Sequence, residues 1–248
     1  GTLFVLEELI HKFTPSMLFP TLVATVISAA VARHFLGENP AFHISLPSVS
    51  ISPMVVLVCV VLGLLAGILG VFFSKTIFFL NRQNAKLKVP NYFKPAIAGL
   101  LTGIVGLMLP YVLSSGNGSV EILLCGGFPF ALVCLIFVAK FFVTPICFSS
   151  GAAGGIFLPM LMLGSFLGYI VGYLANACGV DINIAAVAAL GMAGFLSSVA
   201  RTPLTAVVMV FEMTGGYECI LPLMLVSAIA DMTAEKLNHK PIYAKLVV

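Results

Sequence analysis

The chain has 248 residues, 60% hydrophobic and 8% charged, with a formal net charge of +3 and a mean hydropathy of +1.16. A soluble domain carries about 25% charged residues, so this composition excludes an ordinary water-soluble globule and places the chain in lipid. The mild basic balance excludes a nucleic-acid partner, which needs a dense basic face. Six cysteines (Cys59, Cys125, Cys134, Cys147, Cys178 and Cys219) are scattered without metal-ligand spacing. They read as small buried hydrophobes, and neither a metal site nor a cofactor is expected.

A crossing helix needs about 20 apolar residues. Residues 2–10 read as the tail of a helix that starts upstream. Gly1 has no start Met, N-cap or signal peptide, so the chain is expected to be a piece of a longer one. A second helix covers residues 17–35, followed by a polar, proline-containing loop over 37–53 with Glu38 and His43. The longest apolar segment, 54–80, can span while tilted. Residues 96–113 form the next segment, then a small-residue turn over 114–119. Residues 128–148 span again, carrying Lys140 and Pro145. A lysine in so long a span is expected to snorkel toward the headgroups.

Residues 149–159 form a glycine-rich break between two apolar segments. Such a loop cannot face lipid, where its N–H and C=O groups have no partners. It is buried in protein or lines a polar cavity. The helix that starts at its far end turns N–H groups and a positive dipole end inward, which favours an anion. A purely structural re-entrant turn fits the same spacing, and both readings stand at this point. Residues 160–177 place Gly164, Ser165, Gly168 and Gly172 on one face, the small-residue pattern of closely packed helices. Residues 184–199 and 203–213 are short and separated by Arg201-Thr202-Pro203, the mark of discontinuous helices. Residues 219–234 close the membrane part, with Tyr243 just beyond.

Arg82, Lys86, Lys88 and Lys94 cluster between two spans, and the positive-inside rule puts them in the cytoplasm. Lys12 falls on the same side, as do Lys236, Lys240 and Lys245, so the C-terminus is expected to be cytoplasmic and the 37–53 loop external.

The run Cys147-Phe148-Ser149-Ser150-Gly151-Ala152-Ala153-Gly154-Gly155-Ile156-Phe157-Leu158-Pro159 resembles the signature of the CLC chloride channel and transporter family. Further matches follow in family order. They are Leu3-Phe4-Val5-Leu6-Glu7-Glu8, Gly191-Met192-Ala193-Gly194, Arg201-Thr202-Pro203-Leu204-Thr205, Phe211-Glu212-Met213-Thr214 and Lys240-Pro241-Ile242-Tyr243. The resemblance covers essentially the whole chain. It implies an all-α integral membrane protein, multi-span with re-entrant and broken helices. Residues 1–248 would form the C-terminal inverted repeat of the CLC transmembrane domain, with the N-terminal half absent. The family's Gly-Ser-Gly-Ile-Pro and Gly-Lys-Glu-Gly-Pro loops have no counterpart here.

For function, the resemblance implies chloride as bound ion and substrate, exchanged for protons across the lipid bilayer, with no enzyme activity. Gly155, Ile156 and Phe157 would form the anion-binding loop through backbone N–H groups, and Tyr243 would offer its hydroxyl from the inner side. A homodimer is implied, with segments 2–10, 17–35, 203–213 and 219–234 at its interface. Glu8 has an ordinary reading as a helix-end acid four residues before Lys12. The resemblance assigns it instead to internal proton transfer. Glu7, about 100° around a helix, is not expected to share that role, and its replacement is expected to leave transport nearly intact. A passive chloride channel and a dimerisation scaffold are the alternatives. An intramembrane hydrolase is disfavoured, because Ser149 and Ser150 have no His or Lys at a motif spacing.

Overall fold

Long runs of leucine, valine, alanine and phenylalanine, punctuated by Gly and Pro, form helices in lipid because only internal hydrogen bonding satisfies the backbone there. A computed structural model describes residues 2–4, 7, 15–37, 42, 52–86, 89–90, 92–152, 154–237 and 241–243. Among these the fold is all-α. The elements are α1 (Thr2–Phe4), α2 (Pro15–Leu36), α3 (Pro53–Lys86), α4 (Phe93–Met108), α5 (Asn117–Leu124) and α6 (Phe130–Ser149). After the glycine-rich break come α7 (Phe157–Ala177), α8 (Ile184–Ala200), α9 (Pro203–Thr214) and α10 (Ile220–Lys236). Residues 18–35 within α2, together with α3, α6 and α7, are long and apolar enough to cross a membrane. Helices α4, α8 and α9 are apolar but shorter, as the interrupted pattern predicts for α8 and α9.

The core is organised around α8, in which every residue from 186 to 200 is buried. Its neighbours are α7, α3, α10 and α9. Small residues make this possible. A Cβ added at Gly164 or Gly168 of α7 would strike the backbone of α8, and one at Gly191 would strike the Gly164 carbonyl. Two buried hydroxyls tie α8 to its other neighbours. Ser198 Oγ donates to the Ala66 carbonyl of α3 (3.0 Å), and Ser197 Oγ donates to the Ser227 carbonyl of α10 (2.9 Å). Helix α2 is the opposite case: none of residues 18–35 is buried. Its Phe19, Val23, Val26, Ile27 and Phe35 side chains are all exposed.

Several boundaries differ from the hydropathy reading. Helix α3 runs to Lys86, six residues past the apolar segment, because its last turns leave the apolar zone and carry good helix formers. Helix α4 stops at Met108, and a 3-10 turn over Pro110–Val112 follows. The stretch read as a turn over 114–119 instead opens α5 at Asn117, with Val120, Leu123 and Leu124 buried at helical spacing. Pro145 lies inside α6 without ending it. Helix α7 begins at Phe157, so the break is three residues shorter at that end than expected and Pro159 sits in the first turn. Proline is tolerated there because its missing N–H has no ladder partner to lose.

Candidate anion site

The glycine-rich break is fixed at both ends by its own polar groups. Asn84 Nδ2, near the end of α3, donates to the Ser149 carbonyl (2.8 Å) and to Ser149 Oγ (3.3 Å). Ser149 Oγ donates to the Ile146 carbonyl (3.2 Å), and Ser150 Oγ donates to the Cys147 carbonyl (2.6 Å). Both hydroxyls are thus committed to the last turn of α6 and set where the chain leaves it. Gly151, with φ of +85°, then makes the reversal. At the far end Ile156 occupies the N-cap position with its side chain buried. The ladder of α7 opens with Met160 N–H donating to the Ile156 carbonyl (3.0 Å). Helix geometry leaves the donors of a first turn outside the ladder, so this end of α7 is electropositive.

That end opens onto a cavity of about 540 Å³ between α4, α6 and the start of α7. Thr102, Ser114, Lys140, Thr144, Gly155 and Phe157 are among the residues that line it. Lys140 is the surprise. It does not snorkel: only 4% of its surface is exposed, and its Nζ donates to the carbonyls of Val112 (2.8 Å) and Ser114 (2.7 Å). Lys in the middle of an apolar span is costly unless its donors are satisfied. Two carbonyls satisfy it in part, and an ammonium carries three donors. Carbonyls are neutral, however, and among the described residues no ion pair involves Lys140. A lysine ammonium and a helix N-terminus therefore line one cavity, an arrangement that attracts an anion.

Of the residues expected from sequence, Gly155 and Phe157 line this cavity. Ile156 lies between them in the chain, with its side chain turned into the hydrophobic core. Tyr243 is half-buried against the same core and is not among the residues lining the cavity. Glu8 lies outside the described residues. Lys140 was expected to snorkel, and the correction has a clear cause: its partners are carbonyls 28 and 26 residues earlier in the chain, brought under α6 by the turn after α4. The signal that could have found it was present, since a charge inside a long apolar span is a functional-site candidate by default.

Residues 1–235 match the family described as the voltage gated chloride channel. The chain is 34% identical to the H(+)/Cl(-) exchange transporter ClcA of Citrobacter koseri, across 100% of this chain and 54% of that protein. With ClcA of Klebsiella pneumoniae subsp. pneumoniae the identity is 35%, with the same shares covered. A solved structure described as a slow cyanobacterial Cl-/H+ antiporter superposes with a TM-score of 0.90 at 26% identity, over 98% of this chain and 59% of that one. The chain spans about half the length of the curated relatives it matches. A match running through residues 1–235 and a fold shared with a solved relative lead to one assignment: the chain belongs to the voltage gated chloride channel (CLC) family of multi-pass integral membrane proteins.

Proposed function

We propose that the protein containing this chain moves chloride across a membrane in exchange for protons. The observation that carries this reading is the convergence of the α7 N-terminus and the buried Lys140 ammonium on one cavity. Gly155 lets an ion approach the backbone, since a Cβ there would meet open space and no competing group. Ile156 and Phe157 contribute backbone N–H groups, and Tyr243, which stands outside the lining of this cavity, contributes a hydroxyl where the ion leaves toward the inner side. A helix N-terminus adds about 0.3–2 kcal/mol for a nearby anion. Such a gain offsets part of the dehydration of chloride yet leaves the ion able to depart.

Glu8 accepts the proton, because a carboxyl can cycle between charged and neutral forms and so return a proton each turnover. The named activity of the ClcA relatives supports exchange over passive flow. The protein functions as a homodimer with its C-terminus in the cytoplasm. The unburied apolar face of α2 and the basic residues near Lys86 and Lys236 support those two points. The test uses the full-length protein in liposomes loaded with high chloride and diluted into low chloride. Exchange acidifies the interior as chloride leaves. Chloride efflux without acidification makes the protein a channel, and no efflux sinks both readings.

A further inference from the structure

The corner between α8 and α9 is tied on two sides. Arg201 ends α8 in the left-handed conformation (φ +63°) and places its Nε 2.6 Å from Asp231 Oδ1 of α10. On the other side the chain is held by Glu7. Thr205 donates to Glu7 Oε2 through both its N–H (2.8 Å) and its hydroxyl (2.7 Å), and the Leu204 N–H donates to Glu7 Oε1 (3.3 Å).

Local sequence does not explain this arrangement. Thr202 stands at the N-cap of α9 with Pro203 directly after it, a pairing that usually starts a helix by itself. Yet the Thr202 side chain makes no cap bond, and its hydroxyl is buried without a partner. An N-cap side chain normally accepts from the second or third N–H of the helix. Here those donors belong to Leu204 and Thr205, and Glu7 takes both from 197 and 198 residues away. A carboxylate at that end also meets the positive pole of the helix. Bonds to an ionised group are roughly twice as strong as neutral ones. An ionised carboxylate only accepts, and all three of these partners donate.

We infer that Glu7, next in sequence to the proposed proton acceptor Glu8, is a positioning residue for proton exchange, whose carboxylate caps α9 from a distant part of the chain and ties its own segment to the α8–α9 corner. This rests on the proposed exchange function. Helical spacing alone makes Glu7 dispensable; three hydrogen bonds make it an anchor.

The experiment measures protons moved per chloride for full-length protein in liposomes. It compares wild type, Glu7→Ala, Thr205→Val, Thr205→Ser, the Glu7→Ala/Thr205→Val pair and Glu8→Gln. Thr205→Val removes one anchoring bond while leaving both glutamates in place. Losing that bond lowers the ratio of anchored to released Glu7 by about fivefold, so the proton-to-chloride ratio drops while chloride still flows. Thr205→Ser keeps the hydroxyl and restores the wild-type ratio. The paired variant is no worse than Glu7→Ala alone, as expected for two members of one contact. A merely structural role predicts lower stability with an unchanged ratio. Wild-type ratios in both Glu7→Ala and Thr205→Val, with Glu8→Gln abolishing proton movement, overturn the positioning role and leave exchange standing. A wild-type protein that moves chloride without protons overturns both.

Discussion

The Lys140 ammonium donates to the Ser114 carbonyl across 2.7 Å, which joins the middle of α6 to a residue in the left-handed conformation (φ +63°). A non-glycine residue in that conformation costs about 1–2 kcal/mol, so something must hold it. The ammonium does so, bonding the carbonyls on either side of Leu113 at once. One side chain thus shapes the wall of the cavity and charges it.

Replacing Lys140 with Met keeps the length of the side chain and removes charge and donors together. The Val112 and Ser114 carbonyls then lose their partner, at a cost of about 1–3 kcal/mol. The Lys140→Met protein melts at lower temperature in detergent and binds chloride more weakly by calorimetry. Wild-type chloride affinity in a protein that still folds would remove Lys140 from the anion site and leave it a purely structural cation.

The α7–α8 contact makes a sharper stability prediction. A Cβ at Gly191 collides with the Gly164 carbonyl, a backbone atom that cannot swing aside. Gly191→Ala therefore forces the two helices apart, and overpacking of this kind costs about 1–3 kcal/mol. Gly154→Ala, where an added Cβ meets nothing, serves as the control for local composition. Melting curves of the two variants in the same detergent check the contrast.

Tyr243 separates two readings of its position. If its hydroxyl serves the anion, Tyr243→Phe weakens chloride binding by about 0.5–1.5 kcal/mol, the value of one hydrogen bond. Tyr243→Ala does more and loosens proton coupling as well. Unchanged affinity in both variants assigns Tyr243 to packing against the core, where its ring lies half-buried.

These contrasts show what a linear reading can and cannot reach. The apolar spans and the glycine-rich break were legible because lipid imposes a length and a polarity that the sequence must obey. The small residues of α7 predicted close helix packing, and Gly164 and Gly168 do meet the α8 backbone. Helix α5 was hidden because Asn117, Gly118 and Ser119 are turn formers. Only the burial of Val120 and Leu123 and the bond from Ser119 Oγ to the Tyr111 carbonyl (2.8 Å) make it a helix. The burial of Lys140 and the contacts of Glu7 were both out of reach for one shared reason. Their partners lie far along the chain and, apart from the Thr205 hydroxyl, are backbone groups, which leave no mark in a sequence. Thr202 shows the limit of local rules: a good N-cap residue at the right place, whose task is done by Glu7.

The measurement closest to the central claim is chloride-driven proton uptake by the full-length protein in liposomes, compared between wild type and Glu8→Gln. Glutamine cannot carry a proton at this position, while the backbone donors and Lys140 proposed to serve the anion are untouched. Exchange through Glu8 predicts that the variant still releases chloride but no longer acidifies the liposome interior. Proton uptake that survives in Glu8→Gln, at the wild-type ratio to chloride, contradicts it.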